Sequence, residues 1–145
     1  MDQESIVYGC IKDVPMAPEQ DARKRRMNNR AQILHLPQTF DQDSPFLCAD
    51  MFSFTGADIF TGTYHTQLIH FGASYRAVEY EWELWMRKFE NLLSRMYWVS
   101  ATVHLETELS GKHTFHWDAP ANRCHTPNSG DIRLRCEWER EAMFK

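Results

Sequence analysis

The chain has 145 residues, 43% hydrophobic and 13% aromatic, with 20 acidic against 16 basic side chains and a formal net charge of −4. That length fits a single domain, 1–145, large enough to bury roughly 68–70% of its unfolded surface without help from a metal or disulfide, and the aromatic content excludes a disordered chain. The acidic balance lacks the basic surplus with which nucleic-acid binders neutralise phosphates, so it points to basic protein partners, and no run reaches the roughly 18 apolar residues of a membrane span.

In chain order, "SIVYGCI" (5–11) is a β-branched and aromatic run that reads as a strand. "VPMAPEQD" (14–21) is a connector, marked by its two prolines. "DARKRRMNNRAQILHLP" then spaces Ala22, Met27, Ala31 and Leu34 as an inward helix face, with Pro37 as the stop. Asn28 and Asn29 are poor helix formers within it, and "RKRR" (23–26) with Arg30 reads as a solvated face. Residues 38–62 carry no clear period; two short strands are expected around 46–54, and "TYHTQLIHF" (63–71) alternates as a strand ending at Gly72.

The strongest signal is a long helix, about 77–96. Val78, Trp82, Trp85, Met86, Phe89, Leu92, Leu93 and Met96 form one apolar stripe, with Glu79, Glu83, Arg87, Glu90 and Ser94 on the other side. "YWVSATVHLETEL" (97–109) switches to a period of two, with Val99, Ala101, Val103, Leu105 and Leu109 inward. Trp98 falls on its polar side, an exposed aromatic suited to protein contact. "KHTFHWD" completes a hairpin, "APANRCHTPNSG" (119–130) is a loop, and "DIRLRCEWE" is a closing strand. Together these elements make an α+β fold: a mainly antiparallel β-sheet with two helices, the long one packed on one face.

Three histidines and three carboxylates crowd into "VHLETELSGKHTFHWD" (103–118). A three-residue loop at Ser110-Gly111-Lys112 keeps each face uniform, pairing Leu105 with Trp117, Thr107 with Phe115, His104 with Asp118 and Glu106 with His116. His104, Glu106, His116 and Asp118 then share one face. A solvated sheet surface is the simpler reading of that set; a metal site or acid–base pair is the alternative, which no H-E-x-x-H or Cys/His signature supports. Cys10, Cys48, Cys124 and Cys136 show no C-x-x-C pairing and no apolar leader opens the chain, so reduced thiols in a cytoplasmic protein are expected. Cys124-His125 is a neighbouring pair in a loop rather than a catalytic dyad, and no G-x-S-x-G or phosphate loop occurs.

"YGCIKD", "LIHFG" and "EWELWMRKFENLLSRMYWVSATVHLET", about half the chain, together resemble the small immunity proteins of bacterial polymorphic-toxin systems, contact-dependent and type VI. The resemblance implies one acidic cytosolic domain without a cofactor, which occludes a toxin's active site or blocks its activation; it transfers no site residues. The expected function is therefore non-catalytic binding of a cognate toxin protein through an acidic surface, with neither nucleic acid nor membrane as partner. Its candidate residues are Glu79, Glu83, Glu90, Trp98, His104, Glu106, Glu108, His116 and Asp118. A small metal-dependent or acid–base enzyme built on His104, Glu106, His116 and Asp118 is the alternative.

Overall fold

Alternating β-branched and polar residues place six strands in one antiparallel sheet, seen in a computed structural model that describes residues 3–14, 19–38, 44–54, 66–119, 124–128 and 133–137. The strands are β1 (Glu4–Asp13), β2 (Phe52–Phe54), β3 (Gln67–Arg76), β4 (Ser100–Thr107), β5 (Gly111–Asp118) and β6 (Arg133–Glu137). Their order is β2-β3-β1-β4-β5-β6. β1 is central: it pairs with β3 from Glu4↔Arg76 to Asp13↔Gln67 and with β4 from Ser5↔Thr107 to Lys12↔Ser100. Two helices, α1 (Glu19–Leu34) and α2 (Trp82–Leu93), complete the α+β fold. Among the described residues no helix is long and apolar enough to cross a membrane.

The long-helix stripe does what its period predicts. Trp85, Phe89, Leu92, Leu93 and Met96 are fully buried, each contributing roughly 1.5–3 kcal/mol relative to an exposed side chain. Phe89 meets Phe71 of β3 at 5.3 Å and Trp117 of β5 at 5.1 Å between ring centroids; Trp82 meets Phe115 at 5.2 Å. Tyr75 is the polar hub of this core, accepting from Trp85 Nε1 (2.9 Å) and donating to the Phe46 carbonyl (2.8 Å). Gly9 in β1 is there for lack of room: a Cβ would lie 2.7 Å from the Phe71 ring and collide with the Thr102 carbonyl.

Several expectations are revised. The long helix opens with a 3-10 turn, Val78–Glu81, before the α-helix, and closes through hydrogen-bonded turns to Met96. One 3-10 turn (Ala49–Met51) and one strand, β2, stand where two strands were expected, and β3 continues past Gly72 to Arg76. The first helix exists, but Met27 and Leu34 are 66% and 59% exposed; Ala22 lies outside the residues whose side chains are described. The buried face is Arg25, Arg26, Asn29 and Ile33 instead, so half of "RKRR" is not solvated.

That face is held by polar contacts. Arg25 donates to both Asp13 carboxylate oxygens, at 3.0 and 2.5 Å, and its guanidinium lies 4.8 Å from the Tyr97 ring centroid. Burial opposes the Arg25 charge, but Asp13, assisted by Cys124, holds its pKa above the ordinary value. Asn29, fully buried, donates to the Tyr97 carbonyl (2.9 Å) and Gln67 Oε1 (3.0 Å) and accepts from the Tyr97 N–H (2.8 Å). Asn28 reaches the Arg95 carbonyl at 3.2 Å. The two asparagines thus tie α1 to the link between α2 and β4.

Candidate protein-binding surface

The hairpin keeps its expected faces but not its expected register. Val103, Leu105, Phe115 and Trp117 point into the core. The loop is Glu108-Leu109-Ser110, with Gly111 at φ +77 as the left-handed residue that closes it; Leu109, expected inward, is 69% exposed. The turn is set by local bonds: Thr107 Oγ1 accepts from the Ser110 N–H at 2.8 Å and contacts the Ser110 hydroxyl at 2.6 Å. The turn therefore lies two residues earlier and the cross-strand register shifts by four, which preserves the inward and outward sets while changing every pair. The observed pairs are Ser100↔Asp118, Thr102↔His116, His104↔Thr114 and Glu106↔Lys112.

This corrects the proposed His–carboxylate pairs. His104 Nδ1 is 3.0 Å from Thr114 Oγ1, and His116 Nδ1 is 3.0 Å from Thr102 Oγ1. Glu106 stands beside Lys112, and Asp118 is at the far end of the hairpin from Glu106. Among the described residues no group of three His, Cys, Asp or Glu side chains converges as metal ligands.

These residues belong to the outward face of the sheet, on which Glu4, Ile6, Lys12, Leu68 and His70 are exposed, Tyr8, Cys10, Thr102, His104 and His116 are partly buried, and Thr114 is buried. Its middle holds Gly72, Tyr8, His104 and Thr114 in one rung and His70, Cys10, Thr102 and His116 in the next. Charged side chains occupy the margins: Glu4 and Arg76, Glu106 and Lys112, Lys12 and Asp118. The face is thus charge-balanced, three against three in the described side chains of β1, β3, β4 and β5, and not acidic as expected. The Tyr8 ring lies 4.9 Å from that of His104, with Lys112 Nζ 6.0 Å from the Tyr8 centroid. Burial and the Glu106 carboxylate push the Tyr8 phenol above its usual pKa, and burial does the same for the Cys10 thiol.

Three further acidic candidates, Glu79, Glu83 and Glu90, lie across the molecule, on the helix layer. Glu79 and Glu83 sit at the start of α2, where carboxylates also complement the helix dipole. Glu83 is exposed, while Glu79 is partly buried. Glu90 is committed inward: its Oε2 accepts from Trp117 Nε1 at 2.9 Å. Directly after each of the first two stands an exposed apolar residue, Tyr80 (74% exposed) after Glu79 and Leu84 (46% exposed) after Glu83, one turn apart. Neither was expected to matter; the signal is that both are apolar residues lying off the stripe that α2 buries. Glu108 is exposed in the hairpin loop.

Trp98 is corrected outright. It is fully buried, its Nε1 donates to the Leu93 carbonyl at 2.8 Å, and it stacks on His125 at 4.8 Å. The period-two alternation starts only at Ser100, because Trp98 first bridges to His125 through paired backbone hydrogen bonds. His125 Nδ1 donates to the Met96 carbonyl (2.9 Å) while Cys124 Sγ donates to the Val14 carbonyl (3.4 Å), so the neighbouring thiol and imidazole turn to different partners.

The segments "YGCIKD", "LIHFG" and "EWELWMRKFENLLSRMYWVSATVHLET" fall on β1, β3 and the α2–β4 unit, which is the packed scaffold. No family model, no curated protein and no solved structure matches the chain.

Proposed function

We propose that this chain is a stoichiometric protein inhibitor of the immunity kind, acting in the bacterial cytoplasm on a basic toxin without chemistry of its own. The observation that carries the reading is the pair Tyr80 and Leu84, solvent-exposed one turn apart among Glu79, Glu81 and Glu83 at the start of α2. An exposed aromatic and a leucine supply an apolar anchor, and tyrosine is enriched at interface hot spots. The surrounding carboxylates steer a basic partner and discriminate against acidic ones. The rigid α2 core behind them, with Trp85 and Phe89 fully buried, presents this patch without reorganisation. Acidity at the docking surface is thereby confined to the helix layer, leaving the balanced sheet face outside it.

The test is protection from the products of the genes that flank this chain's own, of which a growth-inhibiting toxin is expected to be one. Co-expression should restore growth, and the purified pair should form a one-to-one complex. Tyr80→Ala is expected to weaken that complex about 30-fold, the roughly 2 kcal/mol of a hot spot, with unchanged circular dichroism. Glu79→Lys/Glu83→Lys should weaken it further, chiefly through a slower association rate. No protection by the wild type would remove the immunity reading, and wild-type affinity in both variants would remove the helix surface.

A further inference from the structure

We infer that the outward face of the sheet is a homodimer interface, in which β1 lies antiparallel across β1 of a second copy. This goes beyond the toxin-binding reading and does not depend on it.

The face has the anatomy of an interface. Its two middle rungs contain no Lys, Arg, Asp or Glu on β3, β1, β4 or β5; charged residues lie at the margins, including Glu137 and Arg135, which continue those rungs on the edge strand β6. Interface cores are depleted of charge in the same way, within a polar rim. The Nδ1 atoms of His104 and His116 are already matched by Thr114 and Thr102, which lowers the desolvation cost of covering them. Ile6 and Leu68, 42% and 38% exposed, add apolar area to the same face.

The choice of a second copy follows from β1. Its outward residues read Glu4, Ile6, Tyr8, Cys10, Lys12, with an exposed acid at one end and an exposed base at the other. A two-fold axis across the strand at Tyr8 sets Glu4 against Lys12 of the second copy twice over, Ile6 against Cys10, and Tyr8 against itself. That self-complementarity is what an isologous contact demands, since residue i must meet residue j and j must meet i. Lys112 remains with Glu106 and Tyr8 of its own copy. Strands of this length at the usual spacings give on the order of 600 Å² per copy, about 1,200 Å² in the pair, the lower bound for a stable interface.

The experiment uses the full chain and two single variants, Glu4→Lys and Lys12→Glu, in analytical ultracentrifugation up to about 0.5 mM, which resolves even weak association. Both sites are exposed at the ends of β1, and unchanged thermal melts establish that each variant is folded. The wild type is expected to dimerise, and each variant, which sets like charges together twice, to raise the dissociation constant about 100-fold. Mixing the two variants should restore a dimer, because every contact between them then joins opposite charges. The double variant Glu4→Lys/Lys12→Glu should also dimerise. A monomeric wild type at the highest concentration overturns the inference. So does a dimer that neither variant weakens, or two weakened variants that fail to associate when mixed.

Discussion

Asn29→Ala separates two opposed physical expectations. Judged by helix propensity alone, replacing asparagine by alanine inside α1 stabilises the protein by about 0.6 kcal/mol. The structure predicts the reverse. Asn29 is fully buried and makes three hydrogen bonds: to the Tyr97 carbonyl, to Gln67 Oε1 and from the Tyr97 N–H. Truncation leaves those three groups without that partner, at about 1–1.5 kcal/mol each. Subtracting the propensity gain leaves a net loss of about 3 kcal/mol, or about 10 °C in Tm for a domain of this size. Urea denaturation followed by tryptophan fluorescence and circular dichroism measures it. The midpoint should fall with the slope unchanged, since the surface exposed on unfolding is nearly the same. Asn28→Ala is the control: it loses one half-exposed bond to Arg95 at 3.2 Å and should change stability by less than about 1 kcal/mol. An Asn29→Ala variant as stable as the wild type, or more stable, would refute the idea that polar contacts dock α1.

Other outcomes follow from the same structure. Asp13→Asn, which leaves the buried Arg25 without its carboxylate, should cost about 3–5 kcal/mol, whereas Asp13→Leu/Arg25→Met should cost clearly less, measured by the same denaturation. Gly9→Ala should destabilise by about 3 kcal/mol or more, because the added methyl meets the Phe71 ring and the Thr102 carbonyl; a neutral effect would show that β1 and β4 can part at no cost. Burial holds the Tyr75 phenol above its usual pKa, so the unfolded chain loses that proton first and the folded state binds more protons. Stability therefore falls as pH rises above about 10, and the stability difference between wild type and Tyr75→Phe should narrow over that range. Glu90→Ala should lower stability by about 1–2 kcal/mol through the loss of the Trp117 bond, while Glu90→Gln, which retains an acceptor, should cost less.

What the sequence revealed and what it concealed divide along one physical line. Elements whose burial is apolar were legible: the α2 stripe, the alternation in β4 and β5, and the α+β class all rest on hydrophobic periods that the core then satisfies. Elements whose burial is polar were not. α1 does bury a face of helical period, Arg25, Arg26, Asn29 and Ile33, but three of these four residues are ones that an apolar pattern assigns to solvent. The hairpin shows the same limit in another form. Its faces followed from alternation, yet its register was settled by Thr107 and Ser110, whose hydroxyl contacts fold the turn two residues earlier. Because moving the turn by two residues shifts the register by four and keeps both faces, hydrophobic pattern could not detect it, although it disperses every His–carboxylate pair. Trp98 fails for a related reason: its burial depends on a bridge to His125, 27 positions away in sequence by the difference of their numbers, and no local period records such a contact. Function inherits this division. The two proposed surfaces are those where apolar side chains stand on the wrong side of a period, Tyr80 in the 3-10 turn before α2 with Leu84 on α2, and Ile6 and Tyr8 on β1. Since these lie on opposite layers, the two proposed contacts are compatible: a toxin on the helix patch would leave the sheet face open to a second copy.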